Sequence, residues 1–274
     1  MLMTSNLISR RQSLHHLGAY SLLAAGLWPG AQHALAKAGE SSFQFIAVND
    51  LHHDAPECDP WFEALVRDMK KHSDSDFALV LGDLTDRGQN QNLGAIRDHL
   101  QQLAKPVHVQ IGNHDYLTPS DRSAYEKNFP NQLNYAFTHK GWQFVGIDST
   151  QGQDYSNTKI QPATLHWLDR ELPRLDKRRP TVLFTHFPLA PTAPMVPTNA
   201  EAVLNRFLEF NLKGVYSGHH HGFTLNVVRG VDVLTNRCCS RLRNNHDGSK
   251  EKGYWLISAT PTNLSRSFVE FTKT

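Results

Sequence analysis

The chain is 274 residues long, 39% hydrophobic, 20% charged and 9% aromatic, a globular profile that excludes a disordered, collagen-like or polytopic membrane protein. That length suits one large domain or two modest ones with a full core. The formal net charge of +2 comes from the N-terminus: residues 1–38 hold Arg10, Arg11 and Lys37 and no acid, leaving 25 basic against 26 acidic residues beyond them. Without a basic excess, neither nucleic acid nor an acidic membrane surface is expected as a partner. Cys58, Cys238 and Cys239 make no disulfide framework and match no zinc module. Histidine is the unusual residue, 16 in all.

Residues 1–38 read as a removable export signal. Ser9-Arg10-Arg11-Gln12-Ser13-Leu14 precedes an apolar stretch, Leu17 to Trp28, and an Ala-rich end with cleavage points after Ala36 or Ala38. The apolar stretch is far shorter than the ~20 residues that span a bilayer, so no stable membrane insertion is expected. The paired arginines resemble a twin-arginine (Tat) signal, although Ser13 stands where that motif usually has Phe; a Sec signal is the alternative. The expectation is an exported, periplasmic protein whose working domain is residues 39–274, with the export machinery as a transient partner.

From residue 42 short β-rich runs alternate with amphipathic stretches. Strands are expected at Phe43–Val48, Phe77–Leu81, Pro106–Ile111, Thr181–Thr185 and Gly214–Ser217, and helices at Trp61–Lys71, Leu93–Leu103, Leu165–Leu175 and Ala200–Phe210. Tyr135–Thr138 and Trp142–Ile147 read as a hairpin about Lys140-Gly141. Beyond Gly222 only strand-like runs remain: Thr224–Val228, Val231–Leu234, Tyr254–Ser258 and Ser267–Phe271. The pattern predicts an α/β body of two packed sheets flanked by helices, with a β-rich tail closing the second sheet. The proline-rich stretch Phe187–Pro197 suppresses helix and strand alike and is expected to form a rigid wall of the site.

Polar clusters follow one strand after another: Asp50-Leu51-His52, Gly82-Asp83-Leu84-Thr85-Asp86-Arg87-Gly88, Gly112-Asn113-His114-Asp115, Thr185-His186 and Gly218-His219-His220-His221. Ligands of open α/β sheets gather at the carboxyl ends of strands, so these five loops are expected to converge. Seven of the 13 histidines after residue 38 lie in or beside them. Aspartate with imidazole suits two divalent ions of the Zn²⁺, Mn²⁺ or Fe type. If these loops are extended, Asp50 faces one ion with His52, and His219 pairs with His221, while His53 and His220 turn away. Asp83 can bridge the ions, Asn113 adds a neutral oxygen, and two carboxylates against two dications leave a positive hole suited to phosphate. Gly82, Gly112 and Gly218 are expected to let the backbone turn sharply into the site.

In order and spacing the five blocks resemble the calcineurin-like metallophosphoesterase superfamily, whose D-x-H, G-D-x-x-D, G-N-H-D/E, lone His and G-H-x-H elements are all present between Asp50 and His221. The resemblance implies a four-layer α/β/β/α sandwich of two mixed sheets flanked by helices. It implies one metal held by Asp50, His52, Asp83 and His221, and a second held by Asp83, Asn113, His186 and His219. His114 would approach the scissile phosphate as acid or charge stabiliser. Hydroxide between the ions would attack phosphorus in line. Asp86 or Asp115 would orient His114 or the ligands, and Arg87 either contacts the substrate phosphate or pairs with a nearby acid. Asp86 stands where purple acid phosphatases have tyrosine, which argues against an iron–tyrosinate site. The look is nearest to bacterial class III cyclic-nucleotide phosphodiesterases, helped by Ile147-Asp148-Ser149 and Leu165-His166-Trp167-Leu168. A small phosphate ester is the expected substrate. A non-catalytic binder on the same fold and a nuclease are the alternatives.

Overall fold

Alternation in the first strand, β1 (Phe43–Val48), sends Phe43, Phe45 and Ala47 to one side and Ile46 and Val48 to the other, and all five are buried. A strand covered on both faces belongs inside a layered sheet. The structure, a computed structural model, describes residues 42–273; the expected export signal lies outside the described residues.

The remaining strands are β2 (Ser75–Leu81), β3 (Val107–Gln110), β4 (Tyr135–His139), β5 (Trp142–Gly146), β6 (Thr181–Phe184), β7 (Leu212–Ser217), β8 (Thr224–Val228), β9 (Val231–Thr235), β10 (Gly253–Ala259) and β11 (Leu264–Glu270). The helices are α1 (Asp59–Met69), α2 (Asn90–Gln101), α3 (Ser123–Asn128), α4 (Pro162–Glu171) and α5 (Ala200–Arg206). One sheet runs β11-β10-β1-β2-β3 and the other β4-β5-β6-β7-β9-β8. Both are mixed: β1, β2 and β3 are parallel, as are β5, β6, β7 and β9, while β10, β11, β4 and β8 join antiparallel.

Phe43, Phe45, Phe77, Leu79, Phe144, Phe184, Tyr216 and Ile257 fill the space between the sheets. Outside the first sheet, Phe62, Leu65 and Met69 of α1 and Leu93, Ile96 and Leu100 of α2 cover Ile46, Val48, Ala78 and Val80. Outside the second, Leu168 of α4 and Val203 of α5 cover Val145, Leu183 and Val215. The architecture is therefore α/β/β/α. The turn between β4 and β5 is at Lys140-Gly141, both left-handed (φ 44° and 86°), as a two-residue hairpin of this kind requires.

Three features differ from the sequence reading. The β-rich tail does not close the second sheet alone: β8 and β9 join it, but β10 and β11 cross to the first sheet and pair beside β1. Helix α3 carried no sequence signal, being under two turns long. The stretch read as one helix to Leu175 ends at Glu171 and tightens into a 3-10 turn over Leu172–Arg174, where Pro173 supplies no amide donor. In the proline-rich segment, Leu189, Ala190 and Ala193 pack into the outer core of the second sheet, and the Phe187 ring centroid lies 3.8 Å from that of His219.

Phe45 is fully buried, stacked on Phe77 at 5.0 Å and edge-on to Phe144 at 5.5 Å. Phe45→Ala is expected to cost about 3–5 kcal/mol, read as a lowered urea midpoint at unchanged slope.

Candidate metal centre

The parallel strands β1, β2 and β3 of one sheet and β6 and β7 of the other all release their loops at the same end of the molecule. Asp50 and His52 follow β1, Asp83 follows β2, Asn113 to Asp115 follow β3, His186 follows β6, and His219 and His221 follow β7. All seven proposed ligand residues are buried. Ligand atoms of Asp50, His52, Asp83 and His221 lie within 4.8 Å of one another, and those of Asp83, His186 and His219 do the same. Asn113 Oδ1 lies 3.3 Å from His186 Nε2. Asp83 belongs to both groups.

The pairing of His219 with His221 expected from alternation does not occur: they fall in different clusters, which share Asp83. Asp50, His52, Asp83, His219 and His221 are all left-handed, with φ between 50° and 66°, so these loops are coiled and not extended. Asp and His tolerate that region better than most residues. Nevertheless such conformations cost about 1–3 kcal/mol each and cluster at functional sites.

The glycine reading also changes. Gly82 is left-handed (φ 85°), but Gly112 is not (φ −110°). Gly112 is required by close approach, because a Cβ there would collide with the Asp83 carboxylate and backbone amide.

The outer nitrogens of the four imidazoles are all anchored on oxygen. His52 Nδ1–H donates to Asp86 Oδ1 at 3.2 Å, His221 Nδ1–H to the Asn244 carbonyl at 3.3 Å, His186 Nδ1–H to the Leu81 carbonyl at 2.8 Å, and His219 Nε2–H to the Tyr155 carbonyl at 2.9 Å. These bonds set the tautomers and aim the other nitrogens inward. There, His52 Nε2 meets His221 Nε2 at 3.0 Å, and His186 Nε2 meets His219 Nδ1 at 3.2 Å.

Burial pushes the Asp50 carboxyl up, but His221 at 3.1 Å more than offsets this and brings it to about 2. Asp83 is likewise held well below the usual carboxylate range despite burial, chiefly by His186. Burial disfavours charge on His186, yet Asp83 at 3.3 Å raises it to about 9. His221 rises to about 11 in the same way beside Asp50, whereas burial and the charge on His186 push His219 down to about 3. Two buried carboxylates surrounded by inward-facing imidazole nitrogens form a donor set that fits borderline divalent cations.

The other named residues occupy the periphery. The His114 amide donates to Asp83 Oδ1 at 2.9 Å, and His114 Nδ1–H donates to the Asp86 carbonyl at 2.9 Å. Its ring lies 4.9 Å from that of His52. Asp86 therefore touches both imidazoles, one through its side chain and one through its backbone. Asp115 touches neither: it accepts from the Thr85 and Gly112 amides at 2.9 Å each and ties the loops after β2 and β3 together. Burial and the nearby Asp83 raise its carboxyl to about 7. Arg87 is exposed and lies 3.5 Å from Asp54. His53 turns away to donate to Asp59 at 2.8 Å, and the His220 ring lies 5.9 Å from that of His246.

Sequence reasoning missed Asn49, Arg243 and the carbonyls of Tyr155 and Asn244. Asn49 Nδ2 donates to Asp50 Oδ2, and the Arg243 guanidinium donates to Asp86 Oδ1 from Nε at 2.9 Å and from Nη2 at 2.5 Å. Asn49 could have been suspected from its place beside Asp50; a carbonyl has no residue-type signature. Cys58, Cys238 and Cys239 are free and buried.

The chain belongs to the calcineurin-like phosphoesterase family, whose pattern matches residues 43–223. Over 129 residues it is 27% identical to a Synechococcus protein named "probable cyclic nucleotide phosphodiesterase", covering 47% of this chain and 48% of that one. Over 175 residues it is 26% identical to the glycerophosphodiester phosphodiesterase GpdQ of Enterobacter lignolyticus, covering 58% and 61%. The chain thus spans about half the length of the curated relatives it matches. Among solved structures it resembles the purple acid phosphatase PPD1 of yellow lupin, with a TM-score of 0.63 and 12% identity, covering 85% of this chain and 52% of that one. At that identity the likeness is one of fold.

Gly112→Ala is expected to displace Asp83 and weaken Mn²⁺ binding at least tenfold, in line with the roughly 10–100-fold effect of disturbing a ligand's support. Isothermal calorimetry checks this, with circular dichroism to verify the fold; unchanged affinity would contradict the steric argument.

Proposed function

We propose that the protein hydrolyses small phosphate esters, phosphodiesters in particular, with two divalent cations of the Mn, Fe or Zn type. The observation that carries this reading is the convergence of four imidazoles, each fixed by its outer nitrogen, on two buried carboxylates, one of them shared between the clusters. Asp50, His52, Asp83 and His221 would hold one cation; Asp83, Asn113, His186 and His219 would hold the other. Cations bound there supply Lewis acidity toward the phosphoryl oxygens and lower the pKa of attacking water.

The chain's own residues supply position and protons. His114 is anchored by Nδ1–H on the Asp86 carbonyl, so Nε2 is the atom that would carry a proton toward the leaving oxygen. The Asp83 carboxylate is fixed by the His114 amide, which ties this imidazole to the residue both clusters share. Asp115 holds the two loops that carry Asp83 and His114 in register. A cavity of about 480 Å³ is lined by Tyr116, which follows Asp115 in the chain, and by Pro119, Arg122, Gln151 and Gly152. A pocket of that volume accommodates a small organic group. The diester preference is supported by the two relatives, both named as phosphodiesterases.

The test is turnover of a generic diester and a generic monoester by the Mn²⁺-loaded protein. Diester hydrolysis is expected to exceed monoester hydrolysis, and Asp83→Asn to abolish both together with at least one bound metal. No turnover of either ester would favour a non-catalytic binder on the same fold.

Export is part of the same proposal, supported by the Arg10-Arg11 pair, the short apolar stretch and the Ala-rich end of residues 1–38. Changing both arginines to lysine is expected to leave the precursor in the cytoplasm, checked by fractionation. Undiminished export would assign the Sec route instead.

A further inference from the structure

We propose that Arg243 is a positioning residue for the metal centre, acting through Asp86 on His52 and His114. Its bearing on His114 rests on the hydrolase reading; its bearing on His52 concerns metal binding alone.

Among the described residues, Asp86 alone anchors the outer nitrogens of two of the site's imidazoles. Its carboxylate accepts from His52 Nδ1–H, and its carbonyl accepts from His114 Nδ1–H. A loop carboxylate has several staggered side-chain conformers open to it. Arg243 selects one of them by donating from both Nε and Nη2 to the same oxygen, Oδ1, that receives the His52 proton. Charge-assisted bonds of this kind are the strong ones. Among the described residues, Asp86 is the sole acid paired with Arg243.

The loop carrying Arg243, residues 236–252, grips the same half of the site elsewhere. The Asn244 carbonyl accepts from His221 Nδ1–H, and the His246 amide donates to the His221 carbonyl at 2.8 Å. The His246 ring stacks on that of His221 at 5.1 Å. Residues 236–252 lie outside the family-matched stretch 43–223. The outer nitrogens of His186 and His219 are anchored within that stretch, on Leu81 and Tyr155. Arg243 therefore bears on the Asp50–His52–Asp83–His221 cluster, not on the other.

The loop does not need the Arg243 side chain to keep its path. The Arg243 amide donates to Ser240 Oγ at 3.1 Å, and Lys252 Nζ donates to the Arg243 carbonyl at 2.5 Å.

The experiment is Mn²⁺ calorimetry and electron paramagnetic resonance on the full chain, comparing Arg243→Ala, Arg243→Lys, Asp86→Asn and the Arg243→Ala/Asp86→Asn double variant. Arg243→Ala is expected to weaken Mn²⁺ binding roughly 10–100-fold and alter the Mn²⁺ signal. Arg243→Lys should recover part of the loss, and the double variant should bind no more weakly than Asp86→Asn alone. Wild-type affinity in Arg243→Ala, or additive losses in the double variant, would overturn the proposal. Diester assays on the same samples should show a fall in kcat with KM little changed. Binding is read without turnover, so an inactive wild type would defeat the hydrolase reading while the calorimetry still decided the role of Arg243.

Discussion

Asp50 and Asp83 sit at the end of the inter-sheet core with essentially no access to water, and the surrounding structure is arranged to compensate their charge. An ionised carboxylate taken out of water costs several kcal/mol unless it is paired and hydrogen-bonded. Here the compensation has two layers. Backbone amides of His219 and His114 point at the carboxylates, as fixed dipoles that need no reorganisation. The second layer is the imidazoles themselves, with His186 Nε2 3.3 Å from Asp83 and His221 Nε2 3.1 Å from Asp50.

That arrangement accounts for the backbone strain. Left-handed φ at Asp50, His52, Asp83, His219 and His221 works against folding. It persists because the layers beneath are over-determined: Phe45, Phe77 and Phe144 lock the strands that launch the loops, and Asp115 locks two loops to each other. Alternation is a property of extended chain, so spacing alone does not assign faces in these loops: Asp50 and His52 share a cluster, whereas His219 and His221 do not.

Much of the fold and the site could be read from residue order because both are encoded locally. Strand β1 is bounded as its apolar run indicates, and each site block follows a recognisable strand. What escaped has a common physical character. Pairing of β10 with β1 joins residues some 210 positions apart, such as Phe43 with Ala259, and no local periodicity records a partner. Helix α3 is too short to display one. The anchors of His219 and His221 are carbonyls of Tyr155 and Asn244, groups that every residue carries. Arg243 looked like any surface arginine because its meaning depends on Asp86, 157 positions earlier.

Topology supplies the link between the tail and the chemistry. Strand β9 runs parallel to β7, so its end at Thr235 lies at the same edge as His219 and His221. Strand β10 runs antiparallel to β1, pairing Trp255 with Ala47, so its start at Gly253 lies where β1 releases Asp50. These two strands belong to different sheets. The connection between them must therefore pass from one sheet to the other at the end of the sandwich where the metal ligands emerge. A shorter connection could bridge the sheets there, but it would bring neither a guanidinium to Asp86 nor a carbonyl to His221. The crossing puts residues 236–252 beside the ligands, and Arg243 and Asn244 turn that proximity into control of two imidazoles.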